Sequence, residues 1–230
     1  MAVQNIEELE KKIKIKFKNI DLLQTAVTHR SYLNEHRNYK LDHNERLEFL
    51  GDAVLELAVT DHLYRNFPNP EGELTNWRAA LVNRDMLSKV SRELGVEEFL
   101  QMSRGEAKDT GRARDYLLAN AFEAIVGAIY LDQGYETAEK FIKENILSRL
   151  EEVIKSKLYI DPKSNFQEEA QARVGITPSY RVISESGPDH DKKFVVGVYL
   201  GDEEIARGEG NSKQQAQREA ARAGLKVKGW

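Results

Sequence analysis

The chain has 230 residues, of which 34 are Lys or Arg and 38 are Asp or Glu, so its formal net charge is −4 and its pI is near 5.8. This length allows one or two domains that each bury a core, and the 15 Gly and 5 Pro residues are too few for a low-complexity chain. The absence of Cys excludes disulfides, thiolate metal sites and cysteine nucleophiles. Since the overall charge is acidic, a nucleic-acid-binding function has to rest on local patches.

The amino-terminal segment and the longest apolar stretch both argue against membrane insertion. The segment MAVQNIEELEKK carries charges where a signal peptide needs apolar residues. The longest apolar stretch runs only from Ala124 to Leu131, whereas a membrane-spanning helix needs roughly 20 residues. We therefore expect no membrane partner, and the lack of Cys fits a cytoplasmic location.

The first two thirds of the chain have the apolar spacing of helices. From about Ile6 to Ile154, apolar residues recur at intervals of three and four. Proline and glycine residues at 68–72 interrupt one helix, and residues 103–111 are predicted to form a polar loop between two others. This part therefore reads as all helical.

The pattern changes after the charged segment EEVIKSK, and Asp161-Pro162 marks a predicted boundary between domains. A helix is predicted at about 163–173, alternating apolar residues then predict strands, and Ser212 is a good N-cap for a last helix. We therefore expect an all-α domain at residues 1–156, followed by a small α+β domain with the order α-β-β-β-α at residues 161–228.

The segment HNERLEFLGDAVLEL, residues 43–57, combines an apolar stripe with an acidic one. The predicted buried stripe consists of Leu47, Leu50, Val54 and Leu57. Glu45, Glu48 and Asp52 follow one another at spacings of three and four on an adjacent stripe. Stacked carboxylates repel unless a cation lies among them, and Mg²⁺ is a hard cation that prefers carboxylate oxygens and water. A solvated acidic face is the alternative that spacing alone leaves open.

A second candidate half-site lies in the segment LLANAFEAIVGAIYLD. Asn120 and Glu123 are three residues apart on this otherwise apolar helix. A buried carboxylate is costly unless it is paired or bound to a metal, so Glu123 is a candidate ligand. A helix-surface Glu that faces water is the alternative. Glu71, in the loop NPEGEL, is a weaker candidate, since acidic loop residues often cap helices.

The segment ERLEFLGD, residues 45–52, resembles the signature of ribonuclease III, the bacterial endonucleases of double-stranded RNA. Similar blocks of the same domain occur in the same order, namely THRS at 28–31, the loop 105–114 and LANAFEA at 118–124. The C-terminal part resembles a double-stranded RNA-binding domain. The resemblance covers nearly the whole chain.

This resemblance implies a Mg²⁺-dependent endoribonuclease that works as a homodimer, with Mn²⁺ able to replace Mg²⁺ and no small-molecule cofactor. The expected products carry 5′-phosphates and short 3′ overhangs, and ribosomal and messenger RNA precursors are the expected substrates. The implied catalytic and metal residues are Glu48, Asp52, Asn120 and Glu123, with Glu45 and Glu71 in support and Phe49 at the dimer contact.

Asn120 departs from the resemblance, because most members have Asp at this position. The amide keeps one oxygen for a metal but lacks the negative charge and cannot accept a proton as a carboxylate does. Cleavage is therefore expected to be slower than in an Asn120→Asp version. Natural variation with compensation elsewhere and a substitution that traps an uncut complex both stay open. A protein that binds double-stranded RNA without cutting it is the alternative function.

The C-terminal part offers candidate RNA contacts on three elements. The residues are Gln167 and Gln171 on its first helix, His190 in the first hairpin loop, and Lys213, Arg218 and Arg222 on the last helix. A helix N-terminus with a lysine favours phosphate, and glutamine amides can bond to 2′-hydroxyls. The resemblance implies contacts with two successive minor grooves and the phosphates between them, over about 16 base pairs. The alternative is that the C-terminal part is a small α/β interaction domain that does not bind RNA.

A third function, hydrolysis of small phosphate esters, is disfavoured for two reasons. It leaves the C-terminal part without a use, and the sequence contains no nucleotide-binding glycine loop of the Walker A type.

Overall fold

Helices make up the first of two compact units, which separate after Tyr159. The computed structural model describes residues 5–108, 110–155, 159, 161–188 and 192–230. The helices of the first unit are α1 (Ile6–Ile13), α2 (Ile20–Ala26), α3 (Arg30–Glu35), α4 (Glu45–Asn66), α5 (Glu71–Val82), α6 (Arg84–Glu93), α7 (Arg112–Gln133), α8 (Tyr135–Asn145) and α9 (Leu150–Lys155). Short 3₁₀ turns occur at Val96–Phe99, Glu106–Lys108 and Leu147–Arg149. The predicted all-helical character of this part is confirmed.

The second unit has the predicted order α-β-β-β-α. Its elements are α10 (Pro162–Val174), β1 (Ser179–Ser186), β2 (Lys193–Leu200), β3 (Glu203–Gly210) and α11 (Lys213–Lys228). The strands form one antiparallel sheet in the order β1-β2-β3, and each pair contains an irregularity in register. Apolar residues of both helices and of β2 and β3 form a separate small core, centred on Phe166, Val198 and Ala220.

The local chemistry explains several helix boundaries. Asp161 caps α10 by accepting hydrogen bonds from two backbone amides, and Pro162 follows at the first helical position. Ser212 caps α11, as its spacing predicts, by accepting from the amide of Gln215 at 3.2 Å. Gly72 differs from the prediction, because it lies inside α5 instead of in the break before it.

The buried side of α4 also differs from the predicted stripe. Leu47 and Val54 are buried as expected, but Leu57 is 58% exposed. At about 100° per residue, Leu57 lies roughly 80° around the helix from Leu47, and small residues such as Gly51 and Ala58 occupy the centre of the buried side instead. Small residues serve there because α7 packs so closely against α4.

The two longest helices, α4 and α7, cross at two glycines. A Cβ atom on Gly51 would lie 1.7 Å from the carbonyl oxygen of Glu123, and a Cβ atom on Gly127 would lie 2.3 Å from the carbonyl oxygen of Leu47. Real Cβ atoms do not approach backbone so closely, hence the two backbones touch where no side chain can fit. The core of the helical unit is built around this contact between α4 and α7.

Among the described residues, no helix combines the length and the apolar character needed to cross a bilayer.

The glycine crossing yields a stability prediction. Gly51→Ala is expected to lower the free energy of unfolding by about 3 kcal/mol, because α4 and α7 must move apart to admit a methyl group. Gly72→Ala is the matched control, since a Cβ there meets no atom within 4 Å, and it should raise stability by about 0.5 kcal/mol through helix propensity. Urea unfolding followed by circular dichroism measures both. Equal stabilities of the two variants would contradict the importance of the crossing.

Candidate active site

The crossing of α4 and α7 brings acidic side chains of both helices together. Glu48 is half-buried on α4, and Asp52 follows one turn later on the exposed surface. Glu123 lies on α7 at the crossing point itself, because its carbonyl oxygen is the atom nearest to Gly51. The close approach therefore places Glu123 beside the two carboxylates of α4, and we call Glu48, Asp52, Asn120 and Glu123 the acidic cluster.

Mutual repulsion shows that these groups form one electrostatic unit. Burial, reinforced by the negative charges of Asp52, Glu48 and Glu56, raises the pKa of Glu123 to about 8. Burial also raises the pKa of Glu48, with Glu45 and Asp52 adding to the rise. A solvated acidic face would leave each carboxylate screened by water, so that alternative does not describe Glu48 and Glu123.

Asn120 contacts the same cluster. Its side chain lies near Glu48 and partly offsets the rise in the pKa of that carboxyl. The neutral amide therefore favours the charged form of Glu48, whereas an aspartate would add a further negative charge. The amide oxygen of Asn120 is a neutral ligand that could coordinate a hard cation.

The donors of the cluster suit a hard cation that keeps much of its hydration. Within the described ranges, no group of three His, Cys, Asp or Glu side chains is arranged to hold a metal ion. Mg²⁺, however, usually binds one or two carboxylates and completes its coordination with water and substrate phosphates. Carboxylate and amide oxygens fit such an ion, because a cation would offset the negative charges of Asp52 and Glu48, which add to the effect of burial on the pKa of Glu123.

Glu45 and Glu71 are not members of the acidic cluster, although the charge of Glu45 adds to the raised pKa of Glu48. Glu45 begins α4, and its carboxylate pairs with Arg30 at 3.4 Å. Glu71 begins α5 and accepts a hydrogen bond from Thr75 of its own helix at 2.8 Å. Roughly 20 Å of helix separates Asp52 from the end of α4, after which Glu71 follows. The structure does not join Glu71 to the acidic cluster within one copy of the chain.

The segment at 28–31 fixes the start of α4. The backbone amide of Asn44, just before α4, donates to the carbonyl of Thr28 at 2.9 Å, and the amide of His29 donates to the carbonyl of Gln101 at 2.8 Å. The hydroxyl of Ser31 accepts from the amide of Ser103 at 3.0 Å. These bonds tie α4 to the loop before α7, a positioning role that sequence reasoning did not identify.

Two further residues near the cluster were also missed. Glu56, one turn beyond Asp52, helps to raise the pKa of Glu123. Its carboxylate pairs with the guanidinium of Arg78 at 3.0 Å, and Arg78 also donates to the hydroxyl of Thr60 at 3.0 Å. The spacing of four from Asp52 to Glu56 was the available signal, but nothing in the sequence indicates that α5 supplies a cation there.

A side of α4 that faces away from α7 exposes large apolar groups. Phe49 is 82% exposed and Tyr64 is 79% exposed, and Leu57 lies between them. Spacings of eight and seven residues place all three on one side of the helix. Gly51, beside Phe49, packs against α7 in the core and not toward this surface.

In the second unit, the predicted RNA contacts lie on two exposed helices. Gln167 and Gln171 are exposed one turn apart on α10. The three basic residues of α11 that were predicted as RNA contacts each have an acidic partner: Lys213 pairs with Glu185 at 2.9 Å, Arg218 with Asp161 at 3.2 Å, and Arg222 with Glu219 at 2.5 Å. His190 lies outside the described residues.

Comparisons with known proteins match both units. A family model described as ribonuclease-III-like matches residues 19–150, and one described as a double-stranded RNA binding motif matches residues 162–228. The chain is 44% identical over 227 residues to ribonuclease 3 of Enterococcus faecalis, covering 98% of each chain. It is 42% identical over 230 residues to ribonuclease 3 of Bdellovibrio bacteriovorus, covering 99% of this chain and 98% of that one.

A solved structure agrees with these relatives. The nuclease domain of ribonuclease III from Campylobacter jejuni superposes with a TM-score of 0.55 at 40% identity, covering 62% of this chain and 99% of that domain. The family models cover most of the chain, and the relatives match it over nearly its full length. The chain belongs to the ribonuclease III family.

Proposed function

We propose that this chain is an endoribonuclease that hydrolyses double-stranded RNA at the acidic cluster with the help of Mg²⁺. The observation that carries the proposal is the position of Glu123 beside Asp52 and Glu48, where burial, together with their charges, raises its pKa to about 8. Strongly perturbed carboxylates at one surface site are typical of functional sites. The relatives named ribonuclease 3 support the reaction class.

The residues of the cluster have distinct proposed roles. Glu48, Asp52, Glu123 and the amide oxygen of Asn120 hold the divalent ion, and Mn²⁺ is expected to replace Mg²⁺. When bound, such an ion supplies a water of lowered pKa and neutralises charge on the scissile phosphate. With its pKa near 8 in the metal-free site, Glu123 is suited to hold a proton there at neutral pH. Glu45 supports the start of α4, and Arg78 steadies Glu56 at the edge of the cluster.

The exposed apolar side of α4 supports a homodimer. Phe49, Leu57 and Tyr64 form a surface that a second copy of the chain would cover. The Campylobacter jejuni nuclease domain is described as having a region involved in dimer formation. In the proposed dimer, each cluster cuts one strand, which leaves 5′-phosphates and short 3′ overhangs, and Glu71 lines the RNA-binding valley.

The second unit is proposed to bind the RNA duplex through α10 and α11. The match to the double-stranded RNA binding motif and the exposed Gln167, Gln171 and Lys213 support this role. We further propose that residues 1–156 form the nuclease domain and residues 161–228 the RNA-binding domain. A cytoplasmic enzyme that processes ribosomal and other RNA precursors fits these parts.

Asn120 favours one alternative function. Because an amide stands where the cluster would gain a carboxylate, the chain could bind double-stranded RNA and leave it uncut. Cleavage of a long RNA duplex in the presence of Mg²⁺ distinguishes the two functions on a denaturing gel. Short fragments support the nuclease, whereas intact RNA together with stable binding supports the alternative.

The role of Asn120 is tested by Asn120→Asp. The added carboxylate strengthens metal binding, so single-turnover cleavage at a fixed Mg²⁺ concentration should become about tenfold faster. Glu123→Gln is the loss-of-function control, and it should abolish cleavage in either background while duplex binding persists. Equal rates for the original chain and the Asn120→Asp variant would contradict a metal-binding role for position 120.

The raised pKa of Glu123 makes metal binding dependent on pH. Below a pKa of about 8, the carboxyl keeps its proton, and the metal has to displace it. Affinity for Mn²⁺ should therefore rise up to about tenfold per pH unit between about pH 6 and 8 and then level off. Calorimetry at pH 7 in two buffers of different ionisation enthalpy should detect about one proton released per ion. Glu123→Gln should release none, and a pH-independent affinity of the original chain would contradict the assignment.

The ion pair of Lys213 predicts a gain in RNA affinity. Glu185 holds the ammonium of Lys213 at 2.9 Å and adds negative charge near the start of α11. Glu185→Gln should tighten duplex binding about threefold and steepen its salt dependence, because Lys213 becomes free to neutralise a phosphate. The control is Glu203→Gln, which breaks an ion pair with Lys228 at the other end of α11. Fluorescence anisotropy with a labelled duplex measures both, and matching affinities of the two variants would contradict the prediction.

A further inference from the structure

An exposed aromatic residue lies one helical turn before Asn120 on α7. Tyr116 is 53% exposed, although most aromatic side chains of this unit are at least half-buried. Helical side chains lean toward the N-terminus of their helix, so the ring of Tyr116 covers the turn that contains Arg112. The ring therefore leans away from Asn120 and Glu123, which are both half-buried.

A guanidinium group is stacked on this ring. The Cζ atom of Arg84, the first residue of α6, lies 4.3 Å from the centroid of the Tyr116 ring. Arg84 also donates from Nε and Nη2 to the carboxylate of Asp85, at 3.3 and 3.2 Å. The carboxylate of Asp85 is 81% exposed, so water screens this pair. Since a guanidinium has five N–H groups, donors remain for a further acceptor.

The stacking on Tyr116 restrains the guanidinium of Arg84 without any ligand. A flexible arginine loses side-chain entropy when it binds a phosphate, but a guanidinium that already rests on an aromatic ring has lost part of that freedom. The ring at the same time offers an exposed face for a ribose or a base. A guanidinium with free donors beside an aromatic face is suited to one phosphate and its adjoining sugar.

The position of Tyr116 on α7 places the stacked pair next to the acidic cluster. Arg112, Tyr116, Asn120 and Glu123 follow one another on one side of α7 at spacings of four, four and three. This side therefore passes from basic residues to the acidic cluster within about three turns. The carboxylates of the cluster repel an RNA backbone, and a cation close to them offsets that repulsion for the nucleotides that enter.

We infer that Arg84 and Tyr116 together bind one phosphate and ribose of an RNA strand next to the phosphate that the acidic cluster cleaves. This inference rests on the proposed function and adds a substrate-binding contact to it. The guanidinium of Arg84 donates to the phosphate oxygens, and the ring of Tyr116 packs against the sugar. The contact holds the strand in register with the cluster.

The test compares two charge-removing variants on the same helix. Arg84→Gln should lower kcat/KM for an RNA duplex about tenfold in Mg²⁺ and reduce its dependence on salt by about one phosphate contact. Lys89→Gln removes an exposed charge from α6 five residues further on and should change neither quantity. Thermal unfolding of both proteins checks that the fold is kept.

Variants of Tyr116 show whether the two residues act together. Tyr116→Ser should cause a loss similar to that of Arg84→Gln, and Tyr116→Phe, which keeps the ring, should recover most of it. The double variant Arg84→Gln with Tyr116→Ser should lose little more than either single one, because both changes remove the same contact. Fully additive losses would overturn the idea of a composite contact.

The remaining outcomes separate this inference from the proposed function. If the original chain cuts RNA and Arg84→Gln has the same kcat/KM and salt dependence as Lys89→Gln, the inference is wrong, whereas the proposed nuclease function is supported. If the original chain binds duplex RNA but never cuts it, the nuclease is wrong, and affinities in metal-free buffer then test the contact. A weaker affinity and shallower salt dependence for Arg84→Gln than for Lys89→Gln support it, and equal values overturn it.

Discussion

The backbone contact between α4 and α7 is the constraint on which the rest of the helical unit depends. Gly51 and Gly127 let the carbonyl oxygens of Glu123 and Leu47 lie where any side chain would clash. Such a contact fixes both the separation of the helices and their relative rotation, because interhelical distance is set by the size of the residues at the crossing. The same contact that centres the core thus determines how far apart the carboxylates of the two helices are.

This arrangement keeps the carboxylates close together, although burial and mutual repulsion disfavour their charged forms. Burial and neighbouring charge raise the pKa of Glu123 to about 8, and no hydrogen bond of Glu123 is among the causes of that shift. The surrounding core keeps the charges together in spite of their repulsion, since neither helix can turn without losing its packing. In the second unit, by contrast, Lys213, Arg218 and Arg222 each rest against a carboxylate. The first unit thus holds like charges close together, whereas the second pairs these three cations with carboxylates.

Sequence patterns predicted much of this fold but less of its site. Apolar spacing identified the helical unit, and the alternation around β2 with the cap at Ser212 identified the α-β-β-β-α order. The acidic spacing on α4 and the isolated Glu123 on α7 pointed to residues that the structure brings together. The placement of Leu57 was wrong, because spacing within one helix does not reveal how closely another helix approaches. The roles of Arg78, Arg84 and the segment 28–31 depend on contacts between residues far apart in the chain, which periodicity does not encode.

The exposed position of Phe49 has a consequence for how α4 can change. Within the eight residues 45–52, Leu47 and Gly51 point into the core, Glu48 and Asp52 point to the acidic cluster, and Phe49 points away from both. A helix that uses three of its sides has little surface on which substitutions are neutral. Most random replacements in this stretch would therefore alter the core, the acidic cluster or the exposed apolar side of α4. The sequence of this segment is therefore expected to change far more slowly than that of exposed helices such as α1. This explains how eight residues can identify a family.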